Sequence, residues 1–104
     1  MADWYVYLIR TRQGTLYTGI TTDVRRRLDE HEAGNGSRYL RGRGPLELLY
    51  QLPVDNRSLA QRIEAAIKRL SREGKNAIIA TRPGKRALLK ILEPESGSIE
   101  ELNT

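Results

Sequence analysis

Two short runs near the start of the chain leave little choice about what they build. Trp4-Tyr5-Val6-Tyr7-Leu8-Ile9 and Thr15-Leu16-Tyr17-Thr18-Gly19-Ile20 are aromatic, β-branched or aliphatic at almost every position, and Thr11-Arg12-Gln13-Gly14 lies between them. Such residues favour paired strands, and a glycine in the short connection favours a tight turn. The spacing predicts an antiparallel hairpin. Side chains alternate across a strand, so Tyr5 and Tyr7 share one face, as do Tyr17 and Gly19 on the partner strand. With the turn near Gln13, Tyr7 falls opposite or diagonal to Tyr17 and Gly19, close enough for the groups to act together. A glycine there lets a ligand approach the backbone.

The hairpin needs a cover, and the next segments supply one. Asp23 is placed to cap a helix running from Val24 to about Ala33, with Gly34 ending it. Arg27 and His31 are four apart and are neighbours on that helix. Residues 34–45 form a loop rich in glycine and arginine, and Leu46 to Val54 reads as a third strand. Ser58 and Gln61 have the spacing of a capping box. Leu59, Ile63, Ala66, Ile67 and Leu70 then repeat at helical spacing towards Glu73, where Gly74 is expected to stop the helix. Asn76 to Ala80 fits either a helix or an extended segment. Pro83 suits the first turn of a last short helix with Ala87, Leu88 and Ile91 inward, and Pro94 ends it. The order is strand, strand, helix, strand, helix, helix. The fold class is therefore α+β, a small three-stranded antiparallel or mixed sheet flanked by helices.

The chain has 104 residues and no cysteine. That length suits one domain, expected over 1–92, and the lack of thiols excludes disulfides and is compatible with a reducing cytoplasm. There is no apolar run of the roughly 20 residues that span a bilayer and no cationic leader, so neither a membrane nor a secretory location is expected. Net charge is +5, but residues 93–104 hold Glu93, Glu95, Glu100 and Glu101 and no basic residue. The rest carries 18 basic against 9 acidic residues, a balance of +9. A body that basic favours a polyanionic partner, nucleic acid first. The acidic tail 93–104 is expected to be mobile.

At this point the chain resembles the GIY-YIG nuclease superfamily. Tyr5-Val6-Tyr7 stands where the first triplet belongs, with Tyr for Gly and Val for Ile. Tyr17-Thr18-Gly19 stands for the second, with Thr for Ile. Arg27 follows the second glycine by eight residues, His31 comes four later, and Glu64 on a later helix matches the family's metal-binding glutamate. Asn76 is a weaker match to an asparagine of some members. The resemblance covers about residues 4–80 and looks closest to the short, single-domain bacterial branch, largely uncharacterised.

The resemblance implies an endonuclease hydrolysing DNA phosphodiester bonds with Mg²⁺ or Mn²⁺ on Glu64, in repair or recombination; RNA is the other substrate it leaves open. Tyr7, Tyr17, Arg27, His31 and Glu64 are then the catalytic set. A single carboxylate suits Mg²⁺, which keeps most of its waters. Arg27 can grip phosphate oxygens with two parallel hydrogen bonds. The family points to a tyrosine base, Tyr7 or Tyr17, with His31 accepting the phenol proton or orienting the phosphate. Tyr5, Gly19, Arg25 and Asn76 would line the nucleic acid. In the loop, Arg38, Arg41 and Arg43 would track its backbone, with Tyr39 offering a ring to a base.

Each residue also has an ordinary reading. The tyrosines are common strand aromatics, Arg25-Arg26-Arg27 can be a solvated face, His31 can pack or cap a helix end, and Glu64 precedes Lys68 at ion-pair spacing. The altered first triplet leaves a second function open, a non-catalytic nucleic-acid-binding module. A third is a nuclease subunit whose protein partner selects the substrate, with Ile99 and Leu102 of the tail as contacts.

Overall fold

The computed structural model describes residues 3–92. The expected tail, 93–104, lies outside the described residues. The hairpin forms as β1 (Trp4–Arg10) and β2 (Leu16–Thr21), followed by α1 (Val24–Glu32), β3 (Glu47–Val54), α2 (Arg57–Lys68), α3 (Arg72–Thr81) and α4 (Lys85–Ile91). The sheet has the order β2-β1-β3, and both pairings are antiparallel. Tyr7 pairs with Gly19, and Ile9 with Tyr17, so Tyr7 lies directly across from the glycine and diagonal to Tyr17.

The pleat divides the core in two. On one face Val6, Leu8, Tyr50, Leu52 and Val54 pack against Ala60, Ile63 and Ile67 of α2, Ile78 of α3 and Leu88 of α4. On the other, Tyr7 and Ile9 pack beneath Leu40, with Tyr17, Leu28, Leu46 and Leu48 around them. Leu40 is 1% exposed, so the loop between α1 and β3 is pinned to the sheet by an apolar anchor.

Three details depart from the expected order. The helix expected through Glu73 divides into α2 and α3. The break falls at Arg69–Ser71, because the Ser71 hydroxyl accepts the Gly74 amide and starts a new helix. Gly74 therefore sits in the first turn of α3 instead of stopping α2. Its missing side chain leaves room for Leu70, whose Cβ would lie 3.2 Å from any Cβ placed there. The segment 76–80 is helical. The cap of α2 is Asn56, whose Oδ1 accepts the Leu59 amide at 2.8 Å, and not Ser58. In α4 the inward residue is Leu88, with Leu92 half-buried one turn on, while Ala87 and Ile91 face solvent. Gly84 caps that helix, one residue after Pro83.

Candidate active site

Tyr7, Tyr17 and His31 meet on the second face of the sheet. β1 and β2 deliver the phenols by their register, and α1, capped by Asp23 as expected, lays His31 over them. The Tyr17 ring lies 6.4 Å from Tyr7 and 5.6 Å, edge-on, from His31, centroid to centroid. Gly19 is required by this packing, because a side chain there would overlap the Tyr7 hydroxyl and ring.

The protonation of His31 follows from its neighbours. The Ser37 backbone amide donates to Nδ1 at 3.0 Å, and the Tyr7 hydroxyl lies 2.9 Å from Nε2. A backbone N–H can only donate, so Nδ1 carries no proton and the neutral ring has its hydrogen on Nε2. His31 thus donates to the Tyr7 oxygen. Burial and the Arg27 charge push the imidazole below its usual pKa, with Glu30 opposing, which keeps it neutral at pH 7. The expectation that His31 accepts the phenol proton is corrected by this tautomer: the nitrogen facing Tyr7 is already protonated. The contact depends on Gly36, where a side chain would collide with the ring.

Tyr7 is 2% exposed, and its pKa is pushed up to about 12. Burial is the main cause, followed by Tyr17; Arg27 pulls the value down, and Glu64 adds a smaller rise. Arg27 stands on α1 with His31, whereas Glu64 stands on α2, whose apolar residues pack on the opposite face of the sheet from Tyr7. Arg27 is held by Glu30 at 3.1 Å. Burial works against the Arg27 charge, but Glu30 and Tyr7 more than offset it and its pKa rises. Glu64 pairs with Lys68 at 3.3 Å, as the ordinary reading of its spacing expects, yet its side chain is 22% exposed against 56% for the lysine.

Of the carboxylates here Glu30 is held by Arg27, which leaves Glu64 for a divalent cation. Among the described residues no group of three or more His, Cys, Asp or Glu is gathered. A lone, half-buried carboxylate with a weakly held lysine partner fits a hard cation that keeps several waters and takes further oxygens from a phosphate. Glu64 is the residue that would hold it.

The remaining expected residues divide into groups. Tyr39 stacks on Tyr17, 6.1 Å between centroids and 15° between planes, and the Arg43 guanidinium sits 4.4 Å from the Tyr39 centroid. Arg38 and Arg41 are exposed on the same loop. Tyr5 and Arg25 instead line a shallow groove of about 600 Å³ between α1 and β3, with Leu28, Leu48 and Gln51. Asn76 is exposed on α3 and makes no side-chain hydrogen bond among the described residues. Ser37, Gly36 and Glu30 were not expected. The Gly34-x-Gly36-Ser37 run was the available signal, since two glycines permit a backbone amide to approach a ring.

The GIY-YIG catalytic domain matches residues 3–77. The chain is 47% identical over 93 residues to the UPF0213 protein YhbQ of Escherichia coli O8, covering 89% of this chain and 93% of that protein. A UPF0213 protein of Sodalis glossinidius is 54% identical over 77 residues, 74% of this chain and 72% of the other. The solution NMR structure of a UPF0213 protein from Bacillus halodurans aligns with a TM-score of 0.52 and 37% identity, over 83% of this chain and 92% of that one. The solution NMR structure of the protein EF2693 from E. faecalis gives a TM-score of 0.54 and 34% identity, over 78% of this chain and 90% of that one. The chain belongs to the GIY-YIG superfamily, in its small single-domain UPF0213 branch. That superfamily is one of nucleases, which act on nucleic acid and generally use divalent metal ions. No helix among the described residues is long and apolar enough to cross a membrane.

Proposed function

We propose that the protein is an endonuclease that hydrolyses DNA phosphodiester bonds in the cytoplasm, in repair or recombination, with Mg²⁺ or Mn²⁺ held by Glu64. The observation that carries this reading is the relay from the Ser37 amide through His31 to the Tyr7 oxygen, with Arg27 and Glu64 acting on the same phenol.

Tyr7 is the general base in this account. Its oxygen receives the His31 Nε2–H and is drawn towards ionisation by Arg27, so a phenolate there would have two donors. Deprotonated, it takes a proton from water as the water oxygen attacks phosphorus. Arg27 neutralises charge growing on the non-bridging oxygens, an interaction strongest in a site that excludes water. Tyr17, less buried than Tyr7, orients the phosphate with its hydroxyl. Glu64 would hold the divalent cation, which would supply positive charge to offset that of the departing oxygen. His31 is a positioning residue: it holds its proton and orients the phenol.

The test is cleavage of defined DNA substrates, with RNA beside them, in Mg²⁺, Mn²⁺ and chelator. Metal-dependent cleavage that Arg27→Ala and Glu64→Gln both abolish supports the reading. Tight binding without turnover in any metal would favour the non-catalytic alternative.

A further inference from the structure

A chain of contacts leads out of the site to the tip of the β1–β2 hairpin. Tyr17 stacks on Tyr39, and Tyr39 lies under Arg43, whose Nε also donates to the Tyr39 carbonyl at 2.6 Å. The Arg43 carbonyl accepts the Arg12 amide at 3.0 Å, which ties the loop to the hairpin turn. On that same turn the Gly14 carbonyl accepts from the Arg72 guanidinium at 2.8 Å. Arg43, Arg12 and Arg72 come from three distant parts of the chain, and these contacts bring all three residues to the same hairpin turn. None of the three has an ion-pair partner among the described residues, a condition they share with Arg25, Arg38 and Arg41; what sets them apart is their common place at the hairpin turn.

Like charges brought to one turn repel, and here the Arg43 contacts with Tyr39 and the Arg72 bond to Gly14 hold two of them in place against that cost. A guanidinium oriented by a carbonyl or a ring keeps its remaining N–H donors for planar recognition of phosphate. We infer that Arg43, Arg12 and Arg72 form a phosphate-binding track that carries the nucleic-acid backbone from the active site over the hairpin tip. The track rests on the nuclease reading and extends it, because it gives the substrate a direction. Several phosphates on one side of the scissile bond lie on the hairpin tip, and those on the other side do not.

The experiment is equilibrium binding of fluorescently labelled DNA by the full chain, without divalent metal, between about 50 and about 200 mM salt. Arg12→Gln is the primary variant, since its side chain makes no hydrogen bond or ion pair among the described residues. Arg72→Gln and the double variant follow, with Arg86→Gln on α4 as a charge-matched control. Each track residue removed should lower the slope of log K against log salt by about 0.7–0.9, with weaker binding. Arg86→Gln should leave the slope unchanged. Shortening the DNA on one side of the cleavage position should abolish the difference between wild type and Arg12→Gln, and shortening on the other side should not.

An unchanged slope in Arg12→Gln and in the double variant would overturn the track while leaving the nuclease reading intact. So would an equal change in Arg86→Gln, which would reveal a general charge effect. A wild type that binds no nucleic acid at any salt overturns both.

Discussion

The Tyr7 hydroxyl lies 2.9 Å from Nε2 of His31, and the tautomer that makes this nitrogen a donor is imposed by the Ser37 amide on the other side of the ring. The kinetic consequence has a definite sign. With the Tyr7 pKa near 12, the phenol is protonated at neutral pH, and the fraction of phenolate grows about tenfold per pH unit. The value of kcat/KM should rise with pH from neutrality into the alkaline range, and His31→Ala should lower the whole profile. A profile flat above pH 7 contradicts a phenolate base.

The same two groups mark stability at opposite ends of the pH scale. The raised Tyr7 pKa means a contribution fully present below the usual value of 10.0 and lost as pH rises towards about 12. The lowered His31 pKa means a contribution present above the usual 6.5 and lost as pH falls through the depressed value. Thermal unfolding followed across pH should show both edges. Tyr7→Phe should blunt the alkaline one and His31→Gln the acid one. Edges unmoved by these variants would place the titrating groups elsewhere.

Gly19 and Gly36 are required by the rings of Tyr7 and His31 respectively. Neither glycine has a positive φ, so the requirement is one of space and not of backbone conformation. Gly19→Ala and Gly36→Ala should each cost about 1–3 kcal/mol through forced repacking. Both should reduce cleavage more than that loss of stability explains, because they displace the phenol or the imidazole. Denaturant unfolding beside single-turnover rates checks this. A full rate in a stably folded Gly36→Ala would separate His31 from the chemistry.

Glu64 and Lys68 distinguish a catalytic carboxylate from a surface ion pair. The pair is largely solvent-facing on the lysine side and worth about 0.3–0.5 kcal/mol at helical spacing. Glu64→Gln and Lys68→Gln should therefore have similarly small effects on the melting temperature. Only Glu64→Gln should remove metal-dependent cleavage.

The start of α2 carries a purely structural prediction. Asn56→Ala should destabilise by about 1 kcal/mol, because it frees the Leu59 amide. Ser58→Ala, inside the helix, should be close to neutral by chemical denaturation.

The hairpin was legible from residue type alone, since a one-residue slip would turn Tyr7 away from Gly19 and Tyr17. The meeting of Arg27 and His31 on one helix was legible from their spacing. The ends of α2 and α3 were not. Asn56 and Ser58 are both good caps two residues apart, and sequence does not say which amide each will reach. Gly74 reads as a stop until Leu70 is seen folded over it. The tautomer of His31 was hidden for a deeper reason. It depends on a backbone amide six residues away, brought in by a loop whose anchor, Leu40, stands among arginines and glycines and gives no periodic signal.

The most direct test of a shared phosphodiesterase site is single-turnover cleavage of labelled DNA in Mn²⁺ by wild type, Tyr7→Phe and Glu64→Gln, purified identically and each shown to be folded. The account predicts metal-dependent cleavage by wild type and a fall of at least about a hundredfold in both variants. Equal rates in all three would assign the activity to something other than these residues and contradict the site.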